Sequence, residues 1–307
     1  MKIGVSIGEL GGASADVDGV IAQARRAEAD GFASAWLANV FGFDAMTMGA
    51  LCARETSRIE IGTAVVPTFP RHPTAMAQQA MTAQAIGRGR FTLGIGLSHQ
   101  VVIETMLGLS FAKPYSHMKE YLEVLVPLMQ TGSAMHQGRE YRVAASLNVP
   151  GGQPCQILVA ALAPKMLALT GTVADGTITW MTGPKTIREH TAPRLAEAAA
   201  AAGRSKPRVV VGLPVAITGD PAAARRTAAQ KFGIYGSLPS YRAMLDREGA
   251  EGPADVVIAG DEAAVEAELA RLADAGATDF FWAPCPVEGD GDAVPRTRAF
   301  LARLARA

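Results

Sequence analysis

No run of about 18 apolar residues occurs in the sequence, so nothing in it reads as a membrane helix. Charge of one sign is missing as well: 29 lysines and arginines offset 29 aspartates and glutamates, and no long basic run occurs. An electrostatic nucleic-acid footprint is thereby excluded. Cysteine is scarce, with Cys52, Cys155 and Cys285 far apart and none in a CxxC. Three reduced thiols in a cytoplasmic protein are expected, not a disulfide frame. The five histidines, His72, His99, His117, His136 and His190, show no HxxxH or HExxH spacing, and no metal site is expected. The opening MKIGVSIGEL carries one lysine and then a glycine-bearing apolar run, which does not fit a signal peptide. A phosphate-binding G-x-G-x-x-G is absent too. The first turn, GELGGASAD, spaces its glycines differently, and Gly94 and Gly96 have no third glycine after them.

What is present is an alternation of short apolar runs with helical stretches. KIGVSIG (2–8), SAWLA (34–38), IEIGTAVV (59–66) and FTLGIG (91–96) read as the first four strands. QILVAA (156–161), GTITWM (176–181), RVVVGLPVAI (208–217) and TDFFWAP (278–284) read as the last four. Helices are expected at about 16–30, 44–55, 73–86, 116–129, 163–174, 184–202, up to 246, 261–276 and 294–306, with a small hairpin at 136–143. The strands are continuously apolar rather than alternating, as parallel strands covered on both faces should be. Eight alternations in 307 residues predict an α/β fold, a closed (β/α)8 TIM barrel, against an open doubly wound sheet. One domain over 1–307 is expected, with a lid-like insertion after strand 4 at about 97–145 covering the mouth.

Chemistry in such a barrel sits at the C-terminal strand ends. At the third, TAVVPTFPRHP (63–73) stops a strand with Pro67 and Pro70 and opens a helix at Pro73. Proline suits a first helical turn because it has no donor to leave unpaired. At the fifth, Ala160, Ala161, Leu162 and Ala163 lead into a helix whose free amides and dipole favour an anion, with Lys165 nearby. An ordinary helix start at Pro164 is the alternative. The sixth end, Thr179-Trp180-Met181, offers further donors and apolar walls.

The longer string IGTAVVPTFPRHPTAMAQQAMTAQAIGRGRFTLGIGLSH resembles the bacterial-luciferase-like superfamily, in its branch that uses the deazaflavin coenzyme F420. G-T-x-V, R-H-P, A-x-Q-A and G-R-F-x-L-G-I-G follow in order. LAPKMLALTGTVADGTITWMTGPKT and VVIAGDEAAVEAELARLADAGATDFFWAP extend the likeness over nearly the whole chain. The resemblance implies a TIM-barrel oxidoreductase with a non-prolyl cis peptide at Ala64–Val65 backing the ring. It also implies cofactor contacts at Asn39, Thr63, Ala64, Val65, Gly96, 160–163, Lys165, Thr179, Trp180 and Met181. His99 stands where sugar-phosphate dehydrogenase relatives carry an acidic residue near the reacting carbon, so a proton-handling role there competes with plain solvation. Glu9, ending the first strand, either meets substrate or faces water. Those dehydrogenases place a histidine base after the residue matching Asn39; here that residue is Val40.

Trp36 is expected in the core, His117 as structural, and His136 and His190 at the surface. Arg71 and His72 are as suited to capping local loops as to touching ligand. Phe41, Phe43, Phe69, Trp180 and Met181 suggest an apolar mouth and a partly hydrophobic small-molecule substrate. Hydride transfer between F420 and that substrate is the leading expectation. A monooxygenase using flavin mononucleotide (FMN) comes second, and a non-redox barrel protein or Schiff-base lyase third. Apart from Lys2, at the very start of the first strand, no lysine lies inside a predicted strand to serve the lyase. Relatives pair through barrel helices, so a homodimer is expected.

Overall fold

A computed structural model describes residues 1–11 and 16–307. Eight parallel strands close on themselves: β1 (Lys2–Ile7), β2 (Ser34–Leu37), β3 (Glu60–Thr63), β4 (Phe91–Gly96), β5 (Gln156–Val159), β6 (Gly176–Trp180), β7 (Arg208–Ile217) and β8 (Asp279–Pro284). Each pairs with the next, and β8 returns to β1. This is the predicted TIM barrel. Around it run α1 (Val17–Asp30), α2 (Ala45–Arg54), α3 (Pro73–Ile86), α4 (Pro114–Thr131), α5 (Pro164–Val173), α6 (Ala192–Ala201), α7 (Pro221–Phe232), α8 (Pro239–Glu248), α9 (Glu262–Asp274) and α10 (Ala293–Arg306).

Local chemistry accounts for the helix ends. Asp16 and Asp44 accept the backbone N–H of Gly19 and Thr47, capping α1 and α2. Gly31 ends α1 at φ 89°, a left-handed conformation that only glycine adopts cheaply. Inside the barrel, Trp36, Leu158, Ile178, Val210 and Phe281 form a plug of large side chains. Glycine makes room for the largest of them. A Cβ at Gly62 would lie 2.3 Å from the Trp36 ring, and one at Gly212 would lie 2.0 Å from Phe281. The Trp36 indole N–H donates to Ser34 Oγ at 2.8 Å, so its polar atom is satisfied in the core, where it was expected.

Several elements depart from the sequence-based expectation. Helix 184–202 is interrupted by a π-turn at Ile187–Thr191. Pro193 lies just beyond that turn. Proline lacks the N–H and its ring crowds the carbonyl of the preceding turn, so the helix widens there. Arg194 donates to the freed carbonyls of Glu189 and His190 at 3.3 and 3.2 Å. The hairpin is longer than predicted, Ser133–Gln137 with Arg142–Ser146. It lies along α4, where the Glu120 carboxylate accepts the N–H groups of Arg139, Glu140 and Tyr141. Of the 97–145 segment, α4 itself packs in the helix ring against α3 and α5, and residues 97–113 lie at the mouth. Another mouth segment follows β7. The last three residues of β7 run on to pair with an unpredicted short strand, Ile258–Gly260. The chain between, 218–257, carries α7 and α8 across the strand ends.

Candidate active site

The C-terminal strand ends form an apolar floor. Pairing of β3 with β4 stops after Gly62 and resumes at Val66–Pro67, with Ala64 and Val65 left out of the ladder and the Ala64–Val65 peptide cis. Ala64, Val65, Ala160 and Trp180 pack on the interior plug. Gly96 is needed between them, because a Cβ there would lie 2.7 Å from Val65 Cγ2 and 3.2 Å from Ala160 Cβ. The structure thus brings together predicted residues from four strand ends. Thr63 supports them from below: its hydroxyl donates to Gly94 O at 2.8 Å and accepts Gly94 N–H at 2.9 Å. Thr179 and Met181 are buried and back the floor rather than line it. Ser98 and Met181, just past β4 and β6, hold φ of 60° and 51°. Non-glycine residues adopt this region rarely and at a cost, and Arg88, just after α3, holds it too at 52°.

Two helix N-termini open beside this floor, and the chain treats them differently. At Pro184–Thr186, the Glu248 carboxylate accepts the N–H groups of Lys185 (3.1 Å) and Thr186 (2.7 Å). That end is filled from within. At α5 the N-cap is Ala163, which has no side chain to cap with, and Lys165 lies exposed in the first turn. Leu162 is fixed by its carbonyl, which accepts from His190 Nε2 at 2.7 Å. His190 is 2% exposed, a correction to the surface position expected for it, and the π-turn accounts for its burial. Burial pushes its pKa down, although the Leu162 carbonyl opposes this. Ala161 is fully buried, with its N–H 3.4 Å from Thr177 Oγ1, so Ala160 and Ala163 are the positions open to a ligand.

Polar residues around β2 turn inward on the loop. Asn39 Oδ1 accepts Ala45 N–H at 3.0 Å, and Glu9 Oε2 accepts Val40 N–H at 3.2 Å. Arg71 pairs with Asp44, and His72 caps α3 by accepting Thr74 N–H at 3.2 Å. His117 is buried, stacked on Phe69 at 3.8 Å and hydrogen-bonded to Thr68 Oγ1 at 2.9 Å. Phe41 and Phe43 are 64% and 43% exposed at the rim, whereas Met181 and Phe69 are turned into packing. His99 is half-buried in the loop after β4, and burial lowers its pKa. Its ring centroid lies 5.7 Å from that of Tyr241, and Tyr235 approaches Trp180 at 6.2 Å. Neither tyrosine was singled out from sequence, because nothing within 233–241 marks it as a mouth segment. The Trp180 indole N–H is buried and has no hydrogen-bond partner among the described residues.

An apolar floor beside an uncapped helix N-terminus suits a flat ring carrying an anionic group. Residues 1–302 match the family described as luciferase-like monooxygenase. A putative coenzyme F420-dependent oxidoreductase of Mycobacterium tuberculosis is 29% identical over 190 residues, 57% of this chain and 54% of its own. The coenzyme F420 dependent tetrahydromethanopterin reductase of Methanopyrus kandleri shares the fold. Its TM-score is 0.81 over 98% of this chain and 97% of its own, at 21% identity. The FMN-bound oxygenating constituent of the Pseudomonas putida 3,6-diketocamphane monooxygenase does so with TM-score 0.76 over 100% and 97%, at 17% identity.

Proposed function

As the chain belongs to the luciferase-like monooxygenase family, we propose that it transfers a hydride between the deazaflavin coenzyme F420 and a small organic substrate. One observation carries this reading. Ala160 belongs to the floor and Ala163 is the α5 N-cap, so ring support and anion donors are separated by three residues of chain. That is at most roughly 10 Å, the scale of a ring joined to a phosphate by a short polyol. When bound, F420 supplies the hydride donor or acceptor on its deazaflavin ring.

The residues of the chain do the rest. Ala64, Val65 and Ala160 support the ring face, and Gly96 lets them meet. The N–H groups of Lys165 and Met166, with the helix dipole, would take the phosphate; Pro164 has none to give. The unpaired Trp180 N–H offers a further donor toward the ligand. His99, kept neutral by burial, carries a proton on one ring nitrogen and a lone pair on the other, and so can give or take a proton at the substrate. Glu9 and Asn39 hold the β2 loop in place around the ring edge. A single barrel domain, paired as a homodimer in the cytoplasm, completes the proposal. Light scattering at 32.0 kDa would contradict the dimer.

A second reading, an FMN monooxygenase, draws on the FMN-bound neighbour and on a floor that suits either ring. Titration of the protein with F420, FMN and FAD, followed by intrinsic fluorescence, separates the two. Tightest binding is expected for F420. Tighter FMN binding would reverse the order, and no binding of any of the three would leave a non-redox barrel.

A further inference from the structure

Aromatic residues make up only 6% of the chain, yet around the mouth they form a continuous arc. Trp36 and Phe281 meet inside the barrel with centroids 6.0 Å apart, and Phe281 stacks on Trp180 at 6.3 Å. Trp180 meets Tyr235 at 6.2 Å, Tyr235 meets Tyr241 at 4.9 Å, and Tyr241 meets the His99 ring at 5.7 Å. The first three rings are accounted for by barrel packing. The last three lie over the rim, with Tyr235 and Tyr241 packed on the core along one side only. Tyr235 and Tyr241 come from the segment after β7 and run from Trp180, at the end of β6, to His99, in the loop after β4.

The Tyr235 hydroxyl meets the Trp180 N–H, a donor, and neither phenol donates a hydrogen bond among the described residues, although both rings are half-buried. Burial pushes both phenols above their ordinary pKa, which keeps them protonated and able to donate. The Trp180 N–H lies beside the Tyr235 hydroxyl, a weak contact that lowers the phenol's pKa against the effect of burial and leaves the indole without a full hydrogen bond. Three N–H and O–H donors thus share one wall, with the phenol oxygens as its acceptors. The cation nearest in sequence, Arg242, is spent on Asp246 and on the carbonyls of Ala250 and Glu251. A wall of ring faces and neutral donors favours flat, uncharged molecules that carry an acceptor, and offers a phosphate or carboxylate no counter-charge.

We propose that Tyr235 and Tyr241 are specificity-determining residues, and that the mouth takes a flat, conjugated, uncharged carbonyl compound laid against this arc with its oxygen accepting from a phenol. Its place as the hydride partner rests on the function proposed above; its binding does not require the coenzyme.

The test is isothermal titration of the coenzyme-free protein with 2-naphthaldehyde, cyclohexanecarbaldehyde and glucose 6-phosphate, with thermal melts to confirm folding. Naphthaldehyde is expected to bind about tenfold more tightly than the other two. Tyr241→Leu should remove about that factor, and Tyr235→Leu provides a second readout if the first variant does not fold. Tyr241→Phe keeps the ring but not the donor, and should weaken naphthaldehyde by about threefold while leaving naphthalene binding unchanged. Equal affinity for the planar and non-planar aldehydes, or folded leucine variants that bind as the parent does, would overturn the proposal. Naphthaldehyde binding by a protein that ignores F420 would instead uphold the wall and remove the coenzyme.

Discussion

The two ends of the barrel are built on opposite principles. At the base, where the strands begin, Arg208 reaches Asp279 Oδ1 at 2.7 Å and Glu60 Oε1 at 2.9 Å. Thr92 and Thr278 donate to the same carboxylates at 2.6 Å each. Burial alone would lower the Arg208 pKa, but the two carboxylates raise it well above the usual value. At the mouth, among the described residues, the Trp180 N–H has no full hydrogen-bond partner, the phenols of Tyr235 and Tyr241 donate to none, and no side chain caps α5. An end that only holds the barrel closed satisfies its polar groups. An end that receives a ligand keeps some of them free, at a cost in stability.

The largest test of this contrast is Arg208→Met. It leaves the buried Asp279 carboxylate and the half-buried Glu60 carboxylate without their cation, and should cost about 3–5 kcal/mol in denaturant unfolding. Coenzyme affinity of the folded protein should not change. A loss under about 1 kcal/mol would mean that the base network behaves as a surface pair.

Acid should sharpen the contrast next. Burial pushes the His117 pKa down to about 4, so the folded protein holds it neutral. In the unfolded chain it takes up a proton near the ordinary value of about 6.5. The unfolded state therefore binds more protons between these values, and stability falls as pH drops from about 6.5 to about 4, then levels off. The loss should be on the order of 2 kcal/mol, read from denaturant melts across that range, and His117→Phe should flatten it. At the base, burial would raise the Glu28 pKa. The N–H groups of Ile59, Arg58 and Ser57 outweigh it and hold it at about 2. Its contribution is present above the ordinary carboxylate pKa and is lost only as pH falls toward 2. Acid reaches the mouth first.

The smallest effect is the most pointed. Ala163→Asp supplies the cap that α5 lacks and should stabilise the fold by about 1 kcal/mol. The same carboxylate occupies the anion position, and coenzyme affinity should fall about tenfold, or 1.4 kcal/mol. Opposite signs in a thermal melt and a binding titration are the expected signature. A stabilised variant with unchanged affinity would move the phosphate elsewhere.

Much of the barrel was legible before the structure. β4 and β7 have the predicted bounds, 91–96 and 208–217, because parallel strands covered on both faces are unbroken apolar runs between turn residues. Pro73 and Pro164 begin their helices, as a residue without a donor should. Legibility failed where a feature depends on distant chain. Ile258–Gly260 is too short to show periodicity and is a strand only because β7 overruns the rim to meet it. His190 reads as a surface helix residue until the π-turn before Pro193 rotates it inward to Leu162.

The sequence by itself determined the alternation of elements, the helix starts and stops, and the small residues at 160, 161 and 163, since these rest on interactions within a few positions along the chain. Tertiary structure alone decided which helix N-terminus stays open. Glu248 fills the one at Lys185 and Thr186 from 62 or more positions away, while among the described residues no side chain caps α5. It also decided that Tyr235 and Tyr241 stand over the mouth. Once the barrel closes, residues far apart in sequence share one rim, and which groups find partners there is set by that closure and not by any local pattern.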